Sequence, residues 1–369
     1  LSKPLRVLHI GDEMNWRGGE NQIRLLIEGS AGENIEHHVA YPHGSRGLER
    51  FVEWCPVLGF ERRKWWPIPV QHLVAYCRDQ QIQIIDAQSS GGHSLALRLK
   101  RHLPQLRLVV HRRVDNRIKP YWPTRRKYLN KHVDRYVAIS GCIRNILIRY
   151  GVSGEKISLV RSAIDAAVYA DIDRPAAKRE LQRELGLYEN TVLLGNASAF
   201  THQKGYETLI QALAMLPRDL NFHAVLAGDG PLLDTMKERV AASNLDSAVT
   251  FLGHRRDVPR ILGGLDILAL PSNNEGLGSL LLDAGTAGCA LVGSRVGGIP
   301  EIIRDQKTGL LCPVGDASAL AACLERLIRE PALRTRLVTA VQEHIRQHFS
   351  LDNMVAGNLQ VYRSLLETA

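Results

Sequence analysis

The sequence predicts an α/β protein made of two doubly wound parallel-sheet domains. Three observations lead there. At 369 residues the chain exceeds the usual size of a single-core domain. Short, near-continuous Val/Ile/Leu runs recur along it, as parallel strands covered on both faces require. Amphipathic helical segments lie between several of those runs, the alternation of an α/β fold.

Taken in order, LRVLHI, EHHVAY, IQIIDA, LRLVVH and DRYVAI read as strands of the first half, with NQIRLLIEG and SLALRLKRH as amphipathic helices between them. TVLLGN, FHAVLAG, AVTFLG, LDILAL and CALVGS repeat the pattern in the second half. The change falls after SLVRSAID, in AAVYADIDRPAAKRE, where Pro175 and a return to helical composition mark a linker and a new start. The expected domains are therefore 1–165 and 166–349. No apolar run approaches the roughly 18 to 20 residues of a membrane-spanning helix, and LSKPLRVLHIG is too short for a signal-peptide core. With 45% hydrophobic and 23% charged residues the composition is that of a soluble globular protein, and a cytoplasmic one is expected. The six cysteines form no CxxC or other zinc-like spacing and read as reduced packing residues.

Charge is uneven. Residues 1–165 hold 27 Lys+Arg against 15 Asp+Glu, whereas the remainder holds 20 against 23. Much of the excess lies in HRRVDNRIKPYWPTRRKYLNK, which includes Tyr121 and Trp122, and in ERRKWWP with Trp65 and Trp66. Such a surface is either a solvated basic face or one that meets an anionic partner; tryptophans beside basic residues favour a phospholipid-like partner.

Ligands of doubly wound sheets bind where the carboxyl ends of strands meet helix amino ends, so the loops there carry the candidate site. After LRVLHI, Gly18 and Gly19 precede a helix whose first N–H groups can receive a phosphate or a sugar hydroxyl, though turns also need glycine for steric reasons alone. After TVLLGN, Lys204 stands beside Gly205. Gly228 and Gly230 end another strand, and His254 and Arg255 a fourth. The most specific stretch is PSNNEGLGSLLLDAGTAG. Glu275 lies in the loop after LDILAL, and Gly276, Leu277 and Gly278 offer N–H groups to a diphosphate at the positive end of the next helix. Asp283 follows on that helix; eight helical residues would separate the two acids by about 12 Å, the reach from a sugar ring to a ribose. The alternative for the pair is a helix cap at Glu275 and a solvated Asp283.

AGDGP, FLGHRRDVP, PSNNEGLGSLLLDAGTAGCALVGSRVGGIPEII and KTGLLCPVGD, in this order, resemble the carboxyl half of family 4 (group 1) glycosyltransferases, retaining enzymes of the GT-B fold. WRGGE, IIDAQSSGGH, VVHRRVD and VDRYVAIS extend the resemblance over most of the chain. It implies two Rossmann-like domains facing a central cleft, with a closing helix at about 350–369 packed back on the first. It also implies roles. Glu275 contacts the donor sugar and Asp283 the ribose, Lys204 binds phosphate, the Arg255 region holds the base, and His111 lines the sugar site with its backbone near the reacting carbon.

The chain departs from the family at several points. Ala199 stands where an arginine is common, Asp86, Ala87 and Gln88 replace a histidine-rich strand end, Ser162 and Ala163 replace asparagine and glycine, and Asp283 replaces a glutamate. The reaction implied is transfer of a sugar from a nucleotide-diphosphate donor, a UDP-sugar first and a GDP- or ADP-sugar as alternatives, to an acceptor hydroxyl with retention of configuration. The leaving phosphate takes the acceptor's proton, by family analogy, with Lys204 and the helix end at Gly276 to Gly278 acting in the transition state. No cofactor or metal is expected, since the one DxD, Asp171 to Asp173, lies in the linker and reads as a turn or cap. The acceptor expected is an anionic glycolipid or saccharide of bacterial-type cell-surface, lipopolysaccharide or polysaccharide synthesis, met at the inner face of the cytoplasmic membrane. Two rivals remain at this stage. A sugar-nucleotide epimerase of similar fold would turn over without an acceptor, and a nucleic-acid-binding protein would need a docking motif that the sequence lacks.

Overall fold

The computed structural model describes residues 3–61, 70–116, 118–119 and 121–367. They form two compact units, 1–163 together with 351–369, and 164–350.

The first unit holds a seven-stranded, all-parallel sheet of β1 (Leu5–Ile10), β2 (Ile35–Pro42), β3 (Val57–Phe60), β4 (Ile84–Ala87), β5 (Arg107–Arg112), β6 (Arg135–Ala138) and β7 (Ile157–Leu159), in the order β3-β2-β1-β4-β5-β6-β7. The order reverses between β1 and β4, so their following loops diverge and leave room for a ligand at their carboxyl ends. Val7, Ile84, Val109 and Val137 send their side chains to one face of the sheet. The helices Gly18–Gly29 and Leu351–Glu367 cover that face with Leu25, Leu26, Met354, Leu359 and Tyr362. A Cβ on Gly29 would lie 2.7 Å from Val355, so these two helices touch backbone to side chain.

The second unit repeats the plan with β8 (Val192–Ala197), β9 (Phe222–Ala227), β10 (Val249–Gly253), β11 (Ile267–Leu270), β12 (Ala290–Ser294) and β13 (Leu310–Cys312), ordered β10-β9-β8-β11-β12-β13 and again parallel. Here the reversal lies between β8 and β11. Every residue of β11 and of β12 is buried, which is why both read as unbroken apolar runs. Leu209, Leu213, Leu320, Leu324 and Leu327 pack from helices on Leu194, Ala269 and Val292 of the sheet.

Each strand expected from the sequence is present within a residue or two of its expected ends. Three strands were not expected, β3, β7 and β13, and all three are edge strands of three or four residues. They are too short to show a period, and Gly59 interrupts β3. In the linker, Asp173 accepts from Ala176 N at 3.0 Å and caps the helix Arg174–Glu184, so it is the cap that the DxD suggested. All six cysteines are free thiols. Among the described residues no helix is long and apolar enough to cross a membrane.

Candidate functional site

In the second unit, four loops at the carboxyl ends of β10, β9, β8 and β11 are stitched into one rim. Gly228 N donates to Gly253 O at 2.7 Å, Phe200 N to Asp229 O at 2.9 Å, and Asn273 N to Gln203 O at 2.8 Å. Gly228 and Gly230 lie against the backbones of Ser198 and Phe200. Gly205 makes the closest approach: with φ of +69°, a Cβ there would sit 1.9 Å from Pro271 O, so only glycine lets the β8 loop lie against the β11 loop.

That approach joins Lys204 to Glu275, 71 positions apart in sequence. Lys204 Nζ donates to Glu275 Oε2 at 2.6 Å, and Ser272 Oγ lies 3.4 Å from the same oxygen. Both side chains are mostly buried. Gly298 N donates to Glu275 O at 3.0 Å and fixes the loop from behind. Gly276, Leu277 and Gly278 are buried at the turn, and Gly278, at φ of +94°, caps the helix Ser279–Thr286 in a left-handed conformation. An acid, an ammonium and a glycine turn at a helix amino end can together hold sugar hydroxyls and a diphosphate.

Asp283 is on that helix, but only residues 279–283 between the two acids are helical. The separation computed from eight helical residues therefore does not hold, because the loop up to Gly278 follows another path. Nor is Asp283 a solvated acid. Burial pushes its pKa up to about 6, against which a 2.9 Å hydrogen bond from the Tyr169 hydroxyl acts. Tyr169 comes from the short helix Ala167–Ala170. No sequence signal singled it out, since its partner lies 114 residues away. Arg255 is committed within the protein, pairing with Glu184 at 2.6 Å and Asp257 at 2.7 Å, while His254 is exposed.

In the first unit, Gly18 and Gly19 open the helix Gly18–Gly29. Glu20, buried behind them, accepts from Arg17 N and from the Tyr41 hydroxyl, each at 3.0 Å. His111 lies at the end of β5 with its ring buried, Nε2 3.2 Å from Asp86 and Nδ1 3.5 Å from Arg113. Asp86 and Gln88, at the end of β4 and just beyond it, sit around His111. His9 and His37 continue the cluster across β1 and β2, 2.9 Å apart, with burial pushing His37 down to about 3. Among the described residues no group of three or more His, Cys, Asp and Glu side chains is placed to hold a metal ion.

Two parallel-sheet, Rossmann-like domains with such strand-end loops define the GT-B architecture. Residues 16–168 match the model of Glycosyltransferase Family 4, and residues 177–344 that of Glycosyl transferases group 1. The chain belongs to this family. The chain is 29% identical over 233 residues to an N-acetyl-alpha-D-glucosaminyl L-malate synthase of Bacillus anthracis, covering 63% of this chain and 60% of that protein. It is 30% identical over 165 residues to the lipopolysaccharide core biosynthesis glycosyltransferase LpsE of Rhizobium meliloti, covering 45% and 48%. The chain thus spans about half the length of the curated relatives it matches. Among solved structures, Anabaena HepE in complex with UDP-glucose superposes with a TM-score of 0.83 over 99% of this chain and 100% of that one, at 20% identity, a likeness of fold.

Proposed function

We propose that the protein moves a sugar from a nucleotide-diphosphate sugar to an acceptor hydroxyl, retaining the anomeric configuration and needing no metal. The observation that carries this is the Lys204–Glu275 pair beside the glycine turn, at the sheet's reversal point. The donor's diphosphate takes the ammonium and the turn's N–H groups, its sugar hydroxyls the Glu275 carboxylate, and its ribose Asp283. Charge grows on the diphosphate as the bond to the sugar breaks, so Lys204 holds the transition state more tightly than the ground state. HepE in complex with UDP-glucose supports a UDP-sugar as the first donor to try. A panel of UDP-, GDP- and ADP-sugars tests the reading by thermal shift. A donor at 100 times its dissociation constant adds about 2.7 kcal/mol of stability, and no stabilisation by any nucleotide sugar would sink it.

The acceptor we propose is an anionic glycolipid or saccharide of lipopolysaccharide-type or other surface polysaccharide synthesis, met at the inner face of the cytoplasmic membrane. The relative LpsE supports the pathway class. The first unit supports the charge: Arg98, Arg101, Arg126 and Lys127 line a groove of about 450 Å³ together with Tyr121 and Trp122. Trp122 is 68% exposed, with the Arg126 guanidinium 5.3 Å from its ring. Trp65 and Trp66 lie outside the described residues. Each basic residue near an anionic surface contributes about 1 kcal/mol, lost beyond a Debye length of about 8 Å. The protein should therefore sediment with anionic but not neutral vesicles, less so in high salt and less so with Arg125→Glu and Arg126→Glu. Equal recovery in the supernatant with both vesicle types at low salt would leave a transferase with an acceptor in solution.

A further inference from the structure

Asp86 is fully buried at the end of β4, and four groups converge on its Oδ2: Gln88 Nε2 at 2.8 Å, His111 Nε2 at 3.2 Å, His9 Nδ1 at 3.3 Å and the hydroxyl of Tyr362. Burial alone would raise the pKa of this carboxyl. The contacts of His111 and His9 outweigh it and hold the group well below the usual carboxylate range. A carboxylate removed from water stays where its donors are, so its position is fixed by those side chains.

The groups around His111 settle which of its ring nitrogens carries the proton. Arginine has only donors, so Nδ1 of His111, 3.5 Å from Arg113 Nη2, presents its lone pair. The proton of the neutral imidazole is then on Nε2, facing Asp86. Burial lowers the His111 pKa, which keeps the ring neutral. The same Arg113 nitrogen donates to Gln88 Oε1 at 2.9 Å, and Gln88 Nε2 donates back to Asp86. Asp86, His111, Arg113 and Gln88 thus close a cycle, and Tyr362 on the helix Leu351–Glu367 locks it from the side.

We propose that Asp86 is a positioning residue for His111, fixing its Nε2–H tautomer and ring plane with the help of Tyr362. Nε2 faces the Asp86 carboxylate at 3.2 Å and Nδ1 faces Arg113 at 3.5 Å, so the ring anchors the end of β5 and with it the His111 backbone, where a sugar would meet it. The functional part rests on the reading that His111 lines the donor-sugar site.

Long-range 1H–15N correlation of the histidine rings in the full chain tests the positioning without any substrate. The wild type should show His111 as a single Nε2–H tautomer. In Asp86→Asn the replacing amide can donate as well as accept, so the two ring nitrogens should move toward a tautomeric average. Tyr362→Phe, which keeps the packing, should move them the same way by less and covers the case in which Asp86→Asn does not fold. An Nδ1–H ring in the wild type, or unchanged ring nitrogens in both folded variants, would overturn the proposal. In turnover, Asp86→Asn should lower kcat by about 10- to 100-fold, the loss that follows when a metal-bound histidine loses its orienting carboxylate, with donor KM little changed. Normal turnover in folded His111→Ala would show that transfer does not need the ring's anchoring, overturn the functional part and leave the ring measurement to decide the positioning. Loss in His111→Ala with full turnover in folded Asp86→Asn would overturn the positioning role alone.

Discussion

Replacing Lys204 or Glu275 by alanine all but abolishes sugar transfer while each variant still folds: that is the largest effect expected of any substitution in this chain. The loop 198–205 contains no other lysine or arginine, and Ala199 stands where a second cation would help, so this loop offers no replacement for the ammonium. Removing one preorganised group of this kind costs about 10² to 10³ in kcat. Each substitution also leaves the other partner of a 2.6 Å pair behind in a mostly buried place. Glu275→Gln is the better probe of the acid, because it keeps the shape and removes only the charge. The effects should be less than additive in the double variant, since the two side chains act on one ligand and on each other. Steady-state kinetics beside circular dichroism checks this, and near-normal turnover in either folded variant would remove the pair from the site.

Asp283 should show the second large effect, in stability rather than rate. Its folded pKa of about 6 is above the ordinary 3.8, so between those values the folded state binds more protons than the unfolded one. The stabilisation by the protonated acid is complete below pH 3.8 and is lost as pH rises through about 6. At 1.36 kcal/mol per pH unit, the charged form costs the fold about 3 kcal/mol at pH 7.5. Asp283→Asn carries no charge and keeps an oxygen for the Tyr169 hydroxyl. It should melt several degrees above the wild type at pH 7.5, about level with it at pH 3.5, and bind a nucleotide donor less well. Equal melting temperatures at pH 7.5 would mean that Asp283 is not held against its solvation.

Those two acids show what could be read from the sequence. The glycines that follow Glu275 announce a turn, and the apolar run before it announces a strand end, so the placement of Glu275 in a strand-end loop was legible. Its contact with Lys204 was not, because it depends on Gly205 fitting against Pro271. The central strands were legible because burial on both faces leaves unbroken apolar runs; β3, β7 and β13 at the edges were too short for that. Asp86 registered only as a departure from a familiar pattern. What it does depends on His9, His111 and Tyr362 meeting it from three other elements, and no local period encodes such a meeting. Tyr169 is similar, a linker residue whose role appears only once its helix lies beside Asp283.

The return of residues 351–369 to the first unit bears on the order of events during synthesis. The second unit is one continuous stretch and can fold as soon as it has left the ribosome. The first unit, although made earlier, lacks Met354, Leu359 and Tyr362 until about 190 to 200 further residues have been added, about 10 to 40 s at 5 to 20 residues per second. Throughout that interval one face of its sheet is partly uncovered and Asp86 lacks the Tyr362 hydroxyl. The half made first is thus the half finished last, with apolar sheet surface exposed in the interval.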